Sequence, residues 1–210
     1  FSFALPLLAI GAAFDAQNLD IGLFNHLGLP FWAEFILVIL ILDFFIWLQH
    51  LLTHKIEFLW RIHRVHHSDT EMDVSTAIRF HPIEIALSMA LKISLVYALG
   101  ADPLSVLIFE ILLNGSSIFN HANINIPNRI DKIVRFLIVT PDMHRIHHSS
   151  DRIEHDTNFG FALSIWDHIF QTYKSRPERD HKDMEIGLNW QDEKPQELGW
   201  SLSLPFKKNG

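Results

Sequence analysis

FWAEFILVILILDFFIWLQHLLTH, residues 31–54, is the stretch that decides the fold. Before His50 it holds only two ionisable groups, Glu34 and Asp43. At 1.5 Å per residue, a helix from Phe31 to His50 spans roughly 30 Å, the thickness of a bilayer's hydrocarbon core. The stretch predicts one long membrane helix that delivers His50 and His54 to an interface. Upstream, FSFALPLLAIGAAF (1–14) reads as the end of an earlier membrane helix, and 15–30, with Gly22, Gly28 and Pro30, as a linker. The opening on Phe1 instead of Met suggests a trimmed chain from which an upstream helix or signal could be missing. Downstream, 83–99 and 103–119 are apolar and broken by Gly100-Ala101-Asp102-Pro103, which predicts a helical hairpin. Each arm is at the short limit for a membrane span. Residues 128–139 place Arg129, Lys132 and Arg135 three apart among apolar residues, the pattern of an interfacial amphipathic helix. The expected architecture is all-α: a membrane bundle of about four segments with a cytoplasmic, histidine-rich helical cap. Residues 1–173 would form the membrane-embedded part and 174–210, charged and Pro-containing, a soluble tail.

Composition agrees with a membrane setting. Hydrophobic residues make up 49%, and the 17 Phe and 6 Trp suit a lipid-facing surface with aromatic belts. The absence of Cys excludes disulfides, Fe–S clusters, thiolate-ligated haem and Cys-based zinc sites. A net charge of −7 without a basic stripe argues against a nucleic-acid partner. No Lys or Arg precedes Lys55, and apart from Lys92 every basic residue falls on the side of the histidines. By the positive-inside rule that side is cytoplasmic. Lys92, inside the third segment, reads either as a snorkelling lysine or as a buried partner for Glu84 or Glu110.

Histidine is the outlier, with 14 in the chain. His50-x3-His54, His63-x2-His66-His67 and His144-x2-His147-His148 form three clusters. Residues four apart share a helix face, so 50/54, 63/67 and 144/148 point together in pairs. Thr140-Pro141 before the third cluster has the form of an N-cap followed by Pro at the first helical position. Eight histidines at one membrane surface repel one another when protonated and are hard to satisfy when neutral; metal coordination resolves both problems. One ion takes about four to six ligands, so two metals follow. Asp43, His50 and His54 recur at spacings of seven and four along one helical stripe. An acid within a span is costly and by default functional, so Asp43 is a candidate to orient a ligand histidine from behind; the alternative is a helix-packing hydrogen bond. Glu110, Asn114, Ser117 and His121 form a second polar stripe, which makes His121 a ninth candidate ligand.

At this point a resemblance becomes specific. The stretch from ILDFFIWLQHLLTH to RFHPIE, together with FNHANI and PDMHRIHHSSDRIEHDTNFGFALSIWDHIFQTY, resembles the fatty acid hydroxylase and sterol desaturase superfamily, most strongly its bacterial sterol desaturase-like branch. The similar stretches cover roughly residues 40–173. The family's histidine pattern falls on His50, His54, His63, His66, His67, His121, His144, His147 and His148. A further family histidine has Asn125 in its place here, leaving His81 and His155 as candidates for an additional ligand. The resemblance implies two iron ions, with zinc a substitute in purified protein, and O2 as co-substrate. It also implies a lipid substrate, hydroxylation or desaturation, and an external electron donor such as a ferredoxin, cytochrome or reductase. The implied location is a bacterial inner membrane.

Rival classes make different demands. A metal transporter places its ligands near the bilayer midplane, whereas these lie at the interface. A bis-histidine haem carrier needs histidine pairs inside the bundle, which HxxHH clusters do not supply. A zinc-dependent membrane hydrolase would need an open coordination position and a general base such as Glu154 or Glu84.

Overall fold

The computed structural model describes residues 6–181, 183–190 and 195–208. Its helices, in chain order, are α1 (Pro6–Asn18), α2 (Leu23–Leu27), α3 (Phe31–Lys55), α4 (Glu57–His67), α5 (Pro82–Leu99), α6 (Pro103–His121), α7 (Asn128–Val134), α8 (Pro141–His147), α9 (Arg152–His155), α10 (Ile165–Ile169) and α11 (Leu198–Ser203). Among the described residues there is no strand, only two isolated bridges, Ile138 with Leu163 and Ser149 with Ile186. Four helical stretches are long and apolar enough to cross a membrane: Pro6–Leu27, Phe31–Lys55, Pro82–Leu99 and Pro103–His121. The chain is thus mostly helical with four candidate spans. Residues 1–5 of the expected first helix lie outside the described residues.

Contacts divide the chain into two compact units. One comprises the chain up to Ile46 plus Ile85–Gly115; the other comprises Trp47–Glu84 and the chain from Ser116 onward.

In the first unit, α1 presents a stripe of small buried residues, Ala9, Ala12, Ala13 and Ala16, as close-packed membrane helices do. The expected linker 15–30 is partly helical, holding the end of α1 and all of α2. Its Gly22, at φ 107°, sits so near the α5–α6 turn that a Cβ there would lie 2.0 Å from the Gly100 nitrogen. Asp102 caps α6 through the Ser105 amide (3.0 Å), and Glu34 accepts from the Asp102 amide (2.9 Å). Lys92 is buried and its Nζ lies 2.6 Å from Glu110 Oε1, so the buried-partner reading of that lysine holds. Most other side chains on these helices are apolar, and many are exposed, including Trp32, Ile36, Leu40, Ile111 and Leu112, as a lipid-facing surface requires.

In the second unit, α4 has two faces. Val65 packs with Leu188, Trp200 and Leu204, flanked by Trp60 and Trp190. Arg64 donates to the carbonyl of Lys207 (2.9 Å) and covers the Trp190 ring (5.2 Å). The C-terminal stretch is therefore folded onto α4, and it leaves the histidine face of that helix turned inward. The amphipathic segment expected over 128–139 is helical only to Val134. The Val139 amide bonds the Ala162 carbonyl (3.1 Å) and the Ser164 amide bonds that of Leu137 (3.1 Å), so pairing with 162–164 ends the helix.

Candidate metal centre

Four elements supply the histidines. The end of α3 carries His50 and His54, α4 carries His63, His66 and His67, and α6 ends on His121. Helix α8 carries His144 and His147, with His148 as its C-cap. Its start is set as the sequence indicates: Pro141 occupies the first turn and Thr140 accepts from the Met143 amide (3.4 Å). All nine side chains are buried.

They converge as two groups. His50, His54, His63, His67 and His147 form one; His66, His121, His144 and His148 form the other. Within each, one ring nitrogen per residue lies within 4.8 Å of all the others. The groups abut, with the rings of His67 and His148 stacked at 4.6 Å.

The nitrogens facing each centre are short of protons. His121 Nδ1 lies 2.7 Å from the Ser117 carbonyl, to which it can only donate, so its Nε2 is a bare lone pair. Yet that Nε2 has the Nε2 atoms of His66 (3.2 Å), His144 (3.1 Å) and His148 (3.2 Å) around it. One lone pair cannot satisfy three imidazoles. In the five-histidine group, His50 Nε2 and His63 Nε2 are 3.2 Å apart, and the Nε2 atoms of His54, His67 and His147 have no hydrogen-bond partner. Two nitrogens bound to one ion at about 2.0–2.2 Å, with bonds 90–109° apart, are separated by about 2.8–3.6 Å. The observed spacing fits that, and the donor set is one that transition metals accept.

The outward nitrogens are braced. His50 Nδ1 donates to the Phe159 carbonyl (2.8 Å) and His147 Nδ1 to the Thr157 carbonyl (2.8 Å). His63 Nδ1 meets Glu84 Oε1 at 2.6 Å, and His66 Nδ1 meets the Arg79 carbonyl at 3.3 Å. Such partners fix the tautomer and leave Nε2 to bind a metal. Burial, reinforced by neighbouring imidazoles, holds His66, His67, His144, His147 and His148 well below the ordinary histidine pKa. They are neutral at pH 7 and available as ligands.

The remaining candidates are placed differently. His155 adjoins the five-histidine group: with His54 and Asp156 it forms a third set of close ligand atoms. His81 belongs to none of these groups; its Nε2 approaches the Leu202 carbonyl (3.3 Å) and its Nδ1 accepts from the Ile83 amide (3.2 Å). Asp43 is buried on α3, in the first unit. Sequence reasoning missed Asp156, 3.5 Å from His54 Nδ1, and the carbonyls of Thr157 and Phe159. A carbonyl leaves no mark in residue type, so only the fold could reveal that pair.

The fatty acid hydroxylase family model matches residues 35–172, which contain every histidine of the two groups. The chain belongs to the fatty acid hydroxylase family. Relatives within it include an ornithine lipid hydroxylase of Rhizobium tropici, 32% identical over 86% of this chain and 53% of its own. An alkylglycerol monooxygenase of Homo sapiens is 28% identical over 65% of this chain and 30% of its own. A cholesterol 25-hydroxylase of Homo sapiens is 28% identical over 67% and 50%. The chain spans about half the length, or less, of these curated relatives. No solved structure matches it.

Proposed function

We propose that this fatty acid hydroxylase family member is an integral-membrane lipid hydroxylase or desaturase. It holds two iron ions on its nine buried histidines, consumes O2 and takes electrons from a separate ferredoxin, cytochrome or reductase. The observation that carries this reading is the convergence of nine buried imidazoles, from four separate elements, into two abutting groups with ring nitrogens facing each other. When bound, the two ions supply the joint reduction of O2 and the oxidising power to remove hydrogen from an unactivated C–H bond.

The protein's own part is to hold, orient and dry the site. His50, His54, His63, His67 and His147 would hold one ion, and His66, His121, His144 and His148 the other. Glu84 and the carbonyls of Thr157, Phe159, Ser117 and Arg79 aim the rings. Burial keeps His66, His67, His144, His147 and His148 neutral and shields all nine rings from water. Asp43 is assigned a supporting role on the stripe it shares with His50 and His54, and Asp43→Asn is its test. The catalytic region is residues 1–173. Zinc takes the place of iron on overexpression, because occupancy follows metal availability as well as ligand type. The histidines face the cytoplasm of a bacterial inner membrane; the distribution of Lys and Arg supports that orientation.

The relatives' names, an ornithine lipid hydroxylase, an alkylglycerol monooxygenase and a cholesterol 25-hydroxylase, support a lipid as the substrate class. Metal analysis of anaerobically purified protein, joined to lipid mass spectrometry of cells with and without the gene, tests the whole reading. Two irons per chain and a lipid gaining one oxygen, or losing two hydrogens, is the expected result. One metal or none per folded chain, or an unchanged lipid profile, would sink it.

A further inference from the structure

One short segment stands behind two of the five histidines. The Thr157 carbonyl orients His147 from α8, and the Phe159 carbonyl, two residues on, orients His50 from α3. Between them Asn158 adopts a left-handed conformation at φ 56°. Its side chain donates to the Met143 (3.0 Å) and Lys174 (2.9 Å) carbonyls and accepts from the Lys174 amide (2.8 Å). These bonds hold the middle of the segment, and something else must hold the two residues that follow.

Asp167 does so. Its Oδ1 accepts from the Phe159 amide (2.9 Å), the Thr172 hydroxyl (2.6 Å) and Trp47 Nε1 (3.0 Å), and its Oδ2 accepts from the Gly160 amide (2.8 Å). The carboxylate is fully buried and approaches so closely that a Cβ on Gly160 would lie 2.9 Å from Oδ2. Two of these bonds bear on His50. The bond to Phe159 fixes the residue whose carbonyl receives the His50 proton. The bond to Trp47 fixes α3 one turn before His50. Among the described residues no bond from Asp167 reaches the four-histidine group: His121 is oriented within its own helix and His66 by Arg79.

We infer that Asp167 is a positioning residue for the five-histidine group, acting on His50 through Phe159 and Trp47. The inference rests on the reading of the nine histidines as ligands for two ions. Its consequence is selective: disturbing Asp167 loosens one ion and leaves the other.

Asp167→Asn keeps the size of the side chain but turns an NH2 group toward at least one N–H or O–H donor. The measurement uses the whole chain in detergent, loaded with zinc, counting metal by elemental analysis and following its release to a chromophoric chelator. One of two ions should leave about 10-fold faster or more, the range for partners behind a ligand histidine, while the other keeps its rate. In a His148→Ala background the remaining ion should be the fast one; in a His147→Ala background the remaining ion should not respond. Unchanged release of both ions overturns the inference, and so does equal acceleration of both, which marks general loosening. Thr172→Val, which removes only the 2.6 Å bond, covers the case in which Asp167→Asn does not fold; it should speed the same ion a few-fold, and no change there overturns the inference too. A wild-type protein that binds fewer than two ions instead overturns the two-metal reading itself.

Discussion

The five-histidine and four-histidine groups are built from the same residue type and meet ring to ring, yet they are supported differently. Behind the five stand two carboxylates, Glu84 on His63 and Asp156 near His54, and the carbonyls of Thr157 and Phe159. Behind the four, among the described residues, stand the Ser117 and Arg79 carbonyls, with Asp69 acting on His121 at longer range; Nδ1 of His144 and His148 has no hydrogen-bond partner, as is also true of His54 and His67 in the five. An anion behind an imidazole raises its basicity and favours a bound cation. Among the described residues, the five-histidine group is thus the one with a carboxylate bonded directly to a ligand ring, Glu84 on His63, and the other leans more on its ion to hold its ligands in place.

The largest effects should come from the ligands themselves. His147→Ala and His148→Ala each remove one ligand, from the first and second group respectively. Each should lower the metal count from two toward one and cut turnover by more than the roughly 10–100-fold typical of residues behind a ligand. Elemental analysis beside an activity assay checks this. If either change empties both groups, the groups are one cooperative site and the comparison breaks.

Glu84→Gln comes next. It keeps a hydrogen-bond acceptor for His63 Nδ1 but removes the charge. Affinity should drop about 10–100-fold in the five-histidine group and stay the same in the other, read from competition with a chelator. An equal loss in both would show that Glu84 acts on the fold, not on one ion.

Acid should act on both groups alike, which separates it from Glu84→Gln. Burial holds His67 and His147 in the first group, and His66, His144 and His148 in the second, below the ordinary value of 6.5. As pH falls below about 6.5 the unfolded chain takes up protons that the folded chain refuses. The stability present above that pH is then progressively lost. Metal-stripped protein should melt several degrees lower at pH 5.5 than at pH 8. A flat melting profile between those values would show that the folded chain takes up protons as readily as the unfolded one, and that burial does not hold these rings neutral.

Much of this was legible in the sequence, for identifiable reasons. Apolar runs of 18 to 25 residues ended by Pro, Gly or Lys mark helices strongly, so α3, α5 and α6 read within two residues of their ends. The histidines were legible because HxxHH spacing has few other uses. What escaped were features made by tertiary contact. The amphipathic pattern at 128–139 could not reveal that Val139 pairs with Ala162. Charge and Pro in 174–210 hid a Trp200 and Leu204 that pack on Val65. The division of nine histidines into five and four followed from no spacing at all: His66 and His67 are neighbours in sequence and fall in different groups.

The smallest effect, and the sharpest test of where the first group ends, belongs to His155. It was a candidate for a further ligand, and its ring lies 5.7 Å from that of His54 and 5.8 Å from that of His67. Three features set it apart from the five. Its ring stacks on Trp60 at 4.9 Å and 22°, a packing contact that holds the imidazole by its face. The nearest carboxylate, Asp156, is 4.0 Å from its Nε2 and is already paired with Lys55 at 2.9 Å, so an ammonium stands where an ion shared with Asp156 would be repelled. It also stands outside the set of five whose ligand atoms all lie within 4.8 Å of one another. His155→Ala should therefore keep two ions per chain and change release from the first group no more than about threefold, well short of the loss expected when a ligand or its direct partner is removed. His155→Phe, which preserves the stack on Trp60, should restore the wild-type rate. If instead the count falls to one and phenylalanine gives no rescue, the first group is a six-histidine site. Its advantage over the second then lies in ligand number, not in the groups behind the rings.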